Sequence, residues 1–547
     1  MTEKIACPAS RHHGLLQGLS VALLALALLM AVGVRVRLLD FPLERDEGEY
    51  AYAGQLILEG IPPYQLACNM KMPGTYLTYA AVMALGGQTP AGIHLGLLVV
   101  HLATLAVFFL VARKFLDLSG AAIATAAYAL MPLSAAFLGL AAHATHFVML
   151  PALLGIWMLL RLEKNGHWSG CLAGGLLFGI AFLMKQPGLF FGLFGGIYLA
   201  GISLAGKLGW SRTLTRLGVY SLGCLLPFLA VCLWLKIAGV FPQFWFWTIS
   251  YAYEYATLLP LGEGLEHANL ALSGMFAAAP LLWMIAGWGL ACLWGDPRLA
   301  SKTRIFLAGF LFFSFLAVCP GLYFRQHYFL VLVPAVALLA GLAVTCGGWW
   351  LAEKNLAPWT CSLPVLLAAG ACAQSLYADR AVLFSLPARE ACRVVYGENP
   401  FPESLDIARY LEQNTRKEQR IAVIGSEPQI YFYAHRHSST SQIYTYPLME
   451  AQPFARTMQE EMIRELQQNP PEYLVFVVIP FSWLASPGSS HRLVDWVTDY
   501  VKQNMQLVGL IKFTGPRTTE AVWGPAAATT PLSTPSFITV FKRTGAR

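Results

Sequence analysis

The sequence predicts an α-helical membrane protein with many spans, followed by a small α/β domain at its C-terminus. Hydrophobic residues make up 56% of the 547 residues and charged residues only 12%, whereas soluble proteins carry about 25% charged residues. Apolar runs of roughly 17–25 residues, enough to cross a bilayer, recur along the first two thirds of the chain. Beyond residue 379 charged and polar residues return, which indicates a change of solvent from lipid to water.

The apolar runs predict about eleven membrane-spanning helices. We place them at 16–34, 91–112, 119–138, 144–161, 170–184, 187–205, 216–238, 273–294, 305–319, 327–346 and 356–376. A further apolar stretch, 74–86, is too short to span and is expected to form a helix at the membrane interface. The sequence therefore predicts a transmembrane domain at 1–379 and a separate domain at 380–547.

The orientation follows from the basic residues of the short loops. Lys and Arg are concentrated in the loops that are cytoplasmic if the N-terminus lies inside, as the positive-inside rule requires. An odd number of spans then places the domain at 380–547 outside the cytoplasm. The long first loop, 35–90, is outside as well, so its functional groups are expected to work on that side.

The C-terminal region alternates between two kinds of pattern. Short apolar runs at 420–425, 473–479, 507–513 and 537–542 predict strands, and segments at 403–413, 453–468 and 494–504 predict helices. This alternation is typical of a small α/β domain. Because the region has no nucleophile elbow, phosphate loop or metal motif, we expect it to be structural or to face the acceptor.

The first outer loop carries an unusual group of acids. Its segment 44–52 reads ERDEGEYAY, with Asp46, Glu47 and Glu49 inside four residues, and it continues through GIPPY at 60–64 and KMPG at 71–74. A solvated charged turn is the simpler interpretation. A carboxylate beside a membrane bundle can also act as a general base or as a metal ligand.

Three segments in this order resemble one known family. DEGEYAY at 46–52, with GIPPY and KMP after it, is similar to the first-loop signature of the GT-C glycosyltransferases. Specifically, it resembles the bacterial branch of glycosyltransferase family thirty-nine, the protein O-mannosyltransferase-like and aminoarabinose transferase-like enzymes. GIAFLMKQP at 179–187 is similar to a second family segment, with Gln186 in place of the usual Gly. RQHYF at 325–329 leading into Val333-Pro334 is similar to a third. The resemblance covers about residues 10–380.

The resemblance implies an activity and a location. Family members transfer a sugar from a polyprenyl-phosphate donor to an acceptor hydroxyl outside the cytoplasmic membrane, with inversion. The expected protein is thus a multi-pass glycosyltransferase of the bacterial inner membrane, with an extracytoplasmic C-terminal domain. Its expected partners are the donor, a lipid, glycan or protein acceptor and the membrane, and no nucleic acid.

The resemblance also implies roles for the acids. By position Asp46 would deprotonate the acceptor hydroxyl, and Glu47 would assist by hydrogen bonding or by binding a divalent metal cation. A divalent cation is the one cofactor that the resemblance implies. Glu49 and Tyr50 of the same motif are expected to contact the substrates.

The leaving lipid phosphate requires positive charge. Lys185 and Arg325 are the candidates, with Lys71 as a weaker one. Tyr328, in the same segment as Arg325, is also expected to bind substrate. Lys185 also fits the role of an interfacial lysine whose stem lies along lipid. The residues alone leave both roles open.

Two histidines form a further candidate site. His143 and His146 stand three residues apart at the start of an apolar run, so a helix would place them on one face. Two imidazoles at this spacing can bind one metal ion, and hydrogen bonding at the membrane interface is the alternative.

Other functions remain open from the sequence. A transporter or flippase of a lipid-linked sugar would be expected to carry ionisable residues near the membrane midplane, whereas most predicted spans here lack them. A ligase of preformed glycans would be expected to have its large outer loop late in the chain. An inactive sensor or scaffold with the same fold is distinguished only by an activity assay.

Overall fold

The computed structural model describes residues 11–162, 167–354 and 356–545. The chain divides into two compact units that are interleaved in sequence. The first unit comprises the chain up to Arg37, Leu97–Ala230 and Leu259–Ser385. The second comprises Leu38–Gly96, Val231–Leu258 and Leu386–Arg547. The first loop therefore belongs to the same unit as the C-terminal region, whereas the sequence analysis grouped it with the transmembrane domain.

The first unit is helical. Its helices are Arg11–Arg37, Leu118–Leu130, Ala144–Arg161, Trp168–Met184, Gly188–Ala205, Leu261–Ala278, Pro280–Gly295, Ser301–Leu316, Val333–Glu353 and Leu363–Ala378. Two further helices, Pro90–Ala112 and Trp210–Ile237, run across the division between the units. Short 3₁₀ or π turns lie at Met131–Leu133, Ala135–Phe137, Gln326–Val331, Pro358–Ser362 and Ala381–Ser385.

The apolar helices confirm a multi-pass membrane fold. Among the described residues, seven helices are long and apolar enough to cross a bilayer, or eight if a bent pair counts as one span. The pair is Leu261–Ala278 and Pro280–Gly295, bent by 106°, so the continuous span predicted at 273–294 was wrong. Pro280 begins the second helix at the break, where its missing N–H costs nothing. The runs predicted at 119–138 and 170–184 correspond to shorter helices.

Small residues bring the central helices of this unit together. Gly120 and Gly341 lie where two helices cross, and a Cβ added at Gly341 would stand 2.3 Å from the carbonyl oxygen of Gly120. A larger residue at either position would push the helices apart. Next to this crossing, the buried side chains of Ile123, Val344 and Val365 form an apolar core.

The second unit combines helices with one sheet. Its longer helices are Arg45–Leu58, Pro73–Gly86, Ala388–Tyr396, Phe401–Asn414, Ala455–Gln468 and Arg492–Asn504. Short helices lie at Phe241–Trp245, Ala252–Thr257, Gln429–Ala434, Tyr446–Met449, Pro480–Trp483 and Ala526–Thr529, with a π turn at Phe246–Tyr251. The helix predicted at 74–86 is confirmed as a helix, Pro73–Gly86.

The sheet has five strands: β1 (Ile421–Ile424), β2 (Tyr473–Val478), β3 (Met505–Gly515), β4 (Thr518–Trp523) and β5 (Phe537–Arg543). Their order is β1-β2-β5-β3-β4. β1 and β2 are parallel and the other pairs antiparallel. Four strands were predicted. β4 was missed because it is a mostly exposed edge strand whose sequence, TTEAVW, has no apolar run.

The helix Arg45–Leu58, named here the motif helix, packs on the C-terminal part of this unit. A Cβ at Gly48 would lie 2.5 Å from the backbone nitrogen of Gln429. The Tyr52 hydroxyl accepts a hydrogen bond from the Ser438 N–H at 2.8 Å, and Gln55 Nε2 lies 2.8 Å from His435 Nδ1. Positions 48, 52 and 55 share one helix face, so the C-terminal region fixes the orientation of the motif helix.

Candidate active site in the first loop

The acids of the motif begin the motif helix. Glu44 is its N-cap: Glu44 Oε1 accepts the N–H of Glu47 at 2.9 Å, and Glu47 Oε2 accepts the N–H of Glu44 at 3.2 Å. This reciprocal pair is a capping box, which satisfies two backbone donors that a helix start otherwise leaves without partners. Carboxylates are also favoured at this end by the helix dipole.

Glu47 has a second structural partner in His94. Glu47 Oε1 lies 3.0 Å from His94 Nε2, and His94 Nδ1 lies 2.8 Å from the carbonyl oxygen of Leu39. A carbonyl only accepts, so Nδ1 carries a proton, and the Nε2–Oε1 contact therefore shares a second one. Glu47 thus joins the helix start to the Pro90–Ala112 helix through a buried, proton-sharing pair.

Asp46 is held differently from its neighbour. Its Oδ1 lies 3.1 Å from Lys71 Nζ and accepts a hydrogen bond from the Tyr444 hydroxyl, also at 3.1 Å. The Asp46 side chain is 16% exposed, whereas that of Glu47 is 0% exposed. Of the two adjacent acids, Asp46 is the one that another molecule can reach.

Glu49 and Tyr50 lie among buried aromatic side chains. The Tyr76 hydroxyl donates to Glu49 Oε1 at 2.5 Å, and Asn69 Nδ2 donates to Oε2 at 2.8 Å. Burial raises the pKa of Glu49 to about 8, and the charge of Asp46 adds to the rise, while Lys71 opposes it. Tyr50 is also buried, with its ring 5.3 Å from that of Tyr79.

Arg45 is turned toward the C-terminal domain. Its Nε donates to the carbonyl oxygen of Ser426 at 2.5 Å, and its Nη2 lies 3.1 Å from both Asn399 Oδ1 and Glu427 Oε1. Glu427 is fully buried, so this ion pair is shielded from water. The positive charge beside Asp46 in sequence is therefore neutralised by another carboxylate.

The two predicted phosphate-binding cations of the first unit each lie over the ring of a tyrosine. Lys185 ends the helix Trp168–Met184, and its Nζ lies 4.0 Å above the centre of the Tyr328 ring, within the range of a cation–π contact. Arg325 precedes the turn Gln326–Val331, and its guanidinium lies 5.6 Å from the Tyr323 ring centre. The structure thus brings together Lys185 and Tyr328, which lie far apart in sequence.

The two histidines predicted to share a metal ion, His143 and His146, have different partners in the structure. The rings of His143 and His327 stack with centroids 4.1 Å apart and planes 11° apart. One ring nitrogen of each lies within 4.8 Å of the other, close enough for both to bind one ion. His146 Nε2 lies instead 3.0 Å from the carbonyl oxygen of Gly139. His143 therefore has a nearby potential co-ligand that the sequence spacing did not indicate.

Several contributors to the site escaped the sequence analysis. The Glu44–Glu47 spacing is a recognisable capping pattern and could have separated the role of Glu47 from that of Asp46. His94 stands alone in an apolar run and gives no such signal. Tyr444 lies almost four hundred residues after Asp46, so only the fold reveals their contact.

Comparisons with known proteins agree with this architecture. Residues 71–234 match the family model described as dolichyl-phosphate-mannose-protein mannosyltransferase, a range that includes Lys71 and Lys185 and begins after the motif helix. No curated protein sequence matches the chain.

Solved structures cover nearly the whole chain. ArnT from Cupriavidus metallidurans in the apo state is 14% identical with a TM-score of 0.57, covering 94% of this chain and 99% of that one. The same protein bound to undecaprenyl phosphate aligns with 17% identity and a TM-score of 0.53, at the same coverage. The archaeal oligosaccharyltransferase AglB from Archaeoglobus fulgidus, in complex with an inhibitory peptide and a dolichol-phosphate, is 12% identical with a TM-score of 0.53, covering 94% and 75%. The family match and the shared fold confirm the resemblance to the GT-C glycosyltransferases.

Proposed function

We propose that this protein is a glycosyltransferase that moves a sugar from a polyprenyl-phosphate donor to an acceptor hydroxyl, with Asp46 as the general base. The observation that carries the proposal is the division between two adjacent acids. Glu47 is fully buried and caps the helix start, whereas Asp46 is partly exposed and contacts Lys71 and Tyr444 through one carboxylate oxygen. The family match and the fold support the reaction class.

The donor class is proposed from chemistry and from the neighbours. The solved relatives contain undecaprenyl phosphate and a dolichol-phosphate. Release of such a phosphate requires cations near its oxygens. We assign this role to Lys185 and Arg325, with Tyr328 beneath the Lys185 ammonium, and a lesser role to Lys71 because it already pairs with Asp46.

The proposed step is a single displacement. The acceptor oxygen attacks the anomeric carbon as its bond to the donor phosphate oxygen breaks, and the configuration at that carbon inverts. Asp46 takes the hydroxyl proton in the transition state, a contribution worth typically 10²–10⁴ in rate. The lipid phosphate leaves with the electron pair of the broken bond.

The other site residues have supporting roles in this proposal. Glu49 and Tyr50 shape the buried side of the motif helix rather than contact the reacting atoms, because both are buried. A divalent cation, if the enzyme uses one, would be held by His143 and His327 rather than by His146, whose Nε2 faces the carbonyl oxygen of Gly139, and it would supply further positive charge there.

The location follows from the same proposal. We propose that the protein works in the bacterial inner membrane with residues 380–547 outside the cytoplasm. A lipid, a glycan or a protein can serve as acceptor, since each offers hydroxyl groups on that side.

Two experiments test the proposal. In the first, the purified protein is incubated in detergent with polyprenyl-phosphate sugars that carry a label in the sugar. In the second, the envelope glycans and glycolipids of a deletion strain and of the wild type are compared by mass spectrometry to find the missing monosaccharide. Asp46→Asn should lower turnover at least about a hundredfold. Asp40→Asn, at an exposed acid shortly before the motif, should leave it unchanged.

The outcome also separates the alternatives. Near-wild-type transfer by Asp46→Asn would reject Asp46 as the base. Movement of labelled donor across vesicles without transfer of the sugar would identify a flippase instead.

A further inference from the structure

A tyrosine of the C-terminal domain, Tyr444, contacts the proposed base, Asp46. Tyr444 lies in the segment between the short helices Gln429–Ala434 and Tyr446–Met449, and its hydroxyl donates to Asp46 Oδ1 at 3.1 Å. Lys71 Nζ approaches the same oxygen at 3.1 Å from within the first loop. Two donors from distant parts of the chain thus hold one carboxylate oxygen.

The backbone around Tyr444 is fixed by the sheet. The next residue, Thr445, is fully buried, and its N–H donates to Ser426 Oγ at 3.1 Å, while its hydroxyl donates to the carbonyl oxygen of Ser482 at 2.8 Å. Ser426 follows β1 and Ser482 follows β2, the two parallel strands. In open α/β sheets this carboxyl edge is where functional groups commonly lie.

The motif helix is docked at the same edge. Arg45, the residue before Asp46, donates to the Ser426 carbonyl and pairs with Glu427. Both ends of the Asp46–Tyr444 contact are therefore anchored on the residues that follow β1. A hydrogen bond between two anchored groups keeps its geometry without ordering flexible side chains.

The surroundings keep Tyr444 a hydrogen-bond donor. Its side chain is buried, and burial, followed by the nearby charges of Asp46 and Glu49, raises its pKa well above its usual value. The titratable groups around Asp46 are Lys71 and the acids Glu44, Glu47 and Glu49, and burial raises the pKa of both Glu44 and Glu49. A neutral hydroxyl adds a directed contact without changing this balance of charge.

We infer that Tyr444 is a positioning residue for the transfer reaction: together with Lys71 it holds the carboxylate of Asp46 in place for the acceptor. This inference rests on the proposed function and assigns the C-terminal domain a direct part in it. From sequence alone, this domain was predicted to be structural or to face the acceptor.

Tyr444→Phe tests the inference by removing only the hydroxyl. A hydrogen bond to a charged group is worth enough that kcat/KM should fall about tenfold or more. The lost donor stabilised the ionised carboxylate, so the acid limb of the pH–rate profile should move to higher pH. The KM for the lipid donor should stay unchanged. Tyr410→Phe, a tyrosine of the same domain whose ring stacks on Trp523 at 4.3 Å, is the matched control and should behave as wild type.

A double-variant cycle separates a positioning role from a structural one. If Tyr444 acts through Asp46, Tyr444→Phe should cost nothing further in the residual activity of Asp46→Asn. An equal loss in both backgrounds, or an unshifted acid limb, would overturn the inference while leaving the proposed function intact. Full activity of Asp46→Asn would instead reject the proposed function itself.

Discussion

Replacing Gly48 with Ala should misplace the motif helix. A Cβ at this position would stand 2.5 Å from the backbone nitrogen, 2.6 Å from the Cβ and 2.8 Å from the Cα of Gln429. Ordinary contacts between such atoms are about 3.5–4.0 Å. Because two of the three opposing atoms are backbone, no rotamer change relieves the clash, and the helix must move by about 1 Å from the C-terminal domain.

The Gly48→Ala substitution is expected to lower both the stability and the activity of the protein. Overpacking of a well-packed contact typically costs about 1–3 kcal/mol of stability. Movement also lengthens the contacts of Arg45, Tyr52 and Gln55 with the C-terminal region. A displacement of about 1 Å at a reacting group can lower a rate by about 10²-fold. We therefore expect a modest loss of stability and a much larger loss of transfer activity.

The assay compares thermal unfolding in detergent with transfer of labelled sugar for the same preparations. Gly18→Ala is the control, since no heavy atom lies within 4 Å of the added Cβ there. Wild-type activity in Gly48→Ala with unchanged unfolding would refute the packing argument. A large loss of stability with full activity per folded molecule would refute the link between helix position and catalysis.

Four further outcomes are expected. Lys185→Ala should raise the KM for the lipid donor and lower turnover. Lys185→Arg should retain part of the donor affinity and part of the turnover, because phosphate accepts either cation. Unchanged donor kinetics in Lys185→Ala would leave Lys185 as an interfacial anchor. Glu47→Gln should lower the unfolding temperature but leave most of the turnover per folded molecule, because it weakens the buried pair with His94; a stable but inactive Glu47→Gln together with an active Asp46→Asn would assign the base to Glu47. Burial raises the pKa of Glu49 from 4.5 to about 8, so stability should fall as pH rises through that range, and Glu49→Gln should flatten the unfolding-temperature profile there. A periplasm-only reporter fused after Asp379 should be active; activity of a cytoplasm-only reporter there would reverse the orientation.

The sequence predicted what depends on local composition. Apolar runs located helices in the first unit because lipid-exposed helices are apolar on most of their surface. Buried strands such as Tyr473–Val478 were visible because a strand covered on both faces is a continuous apolar run. The break at Pro280 was not, because the residues on both sides are apolar and the run reads as one continuous span. The edge strand β4 was hidden by its exposed, polar side chains.

The site was predicted only where its residues are consecutive. The acids of the motif stand together in the sequence, and the family resemblance implied that Asp46 is the base. The partners that distinguish them, His94 for Glu47 and Tyr444 for Asp46, come from distant parts of the chain. No periodicity or spacing links such residues, so the sequence left open which acid is buried and which is accessible.

The partners of the motif helix explain why the C-terminal domain belongs with the first loop. A helix of 14 residues is marginal alone in water, and this one carries Arg45, Gln55 and several acids whose burial is costly without partners. The C-terminal region supplies many of those partners: Glu427 for Arg45, Tyr444 for Asp46 and His435 for Gln55. Without the domain these groups would either return to water or remain buried and unpaired, and both changes would release the helix start. The position of the proposed base is thus set by residues at the far end of the chain.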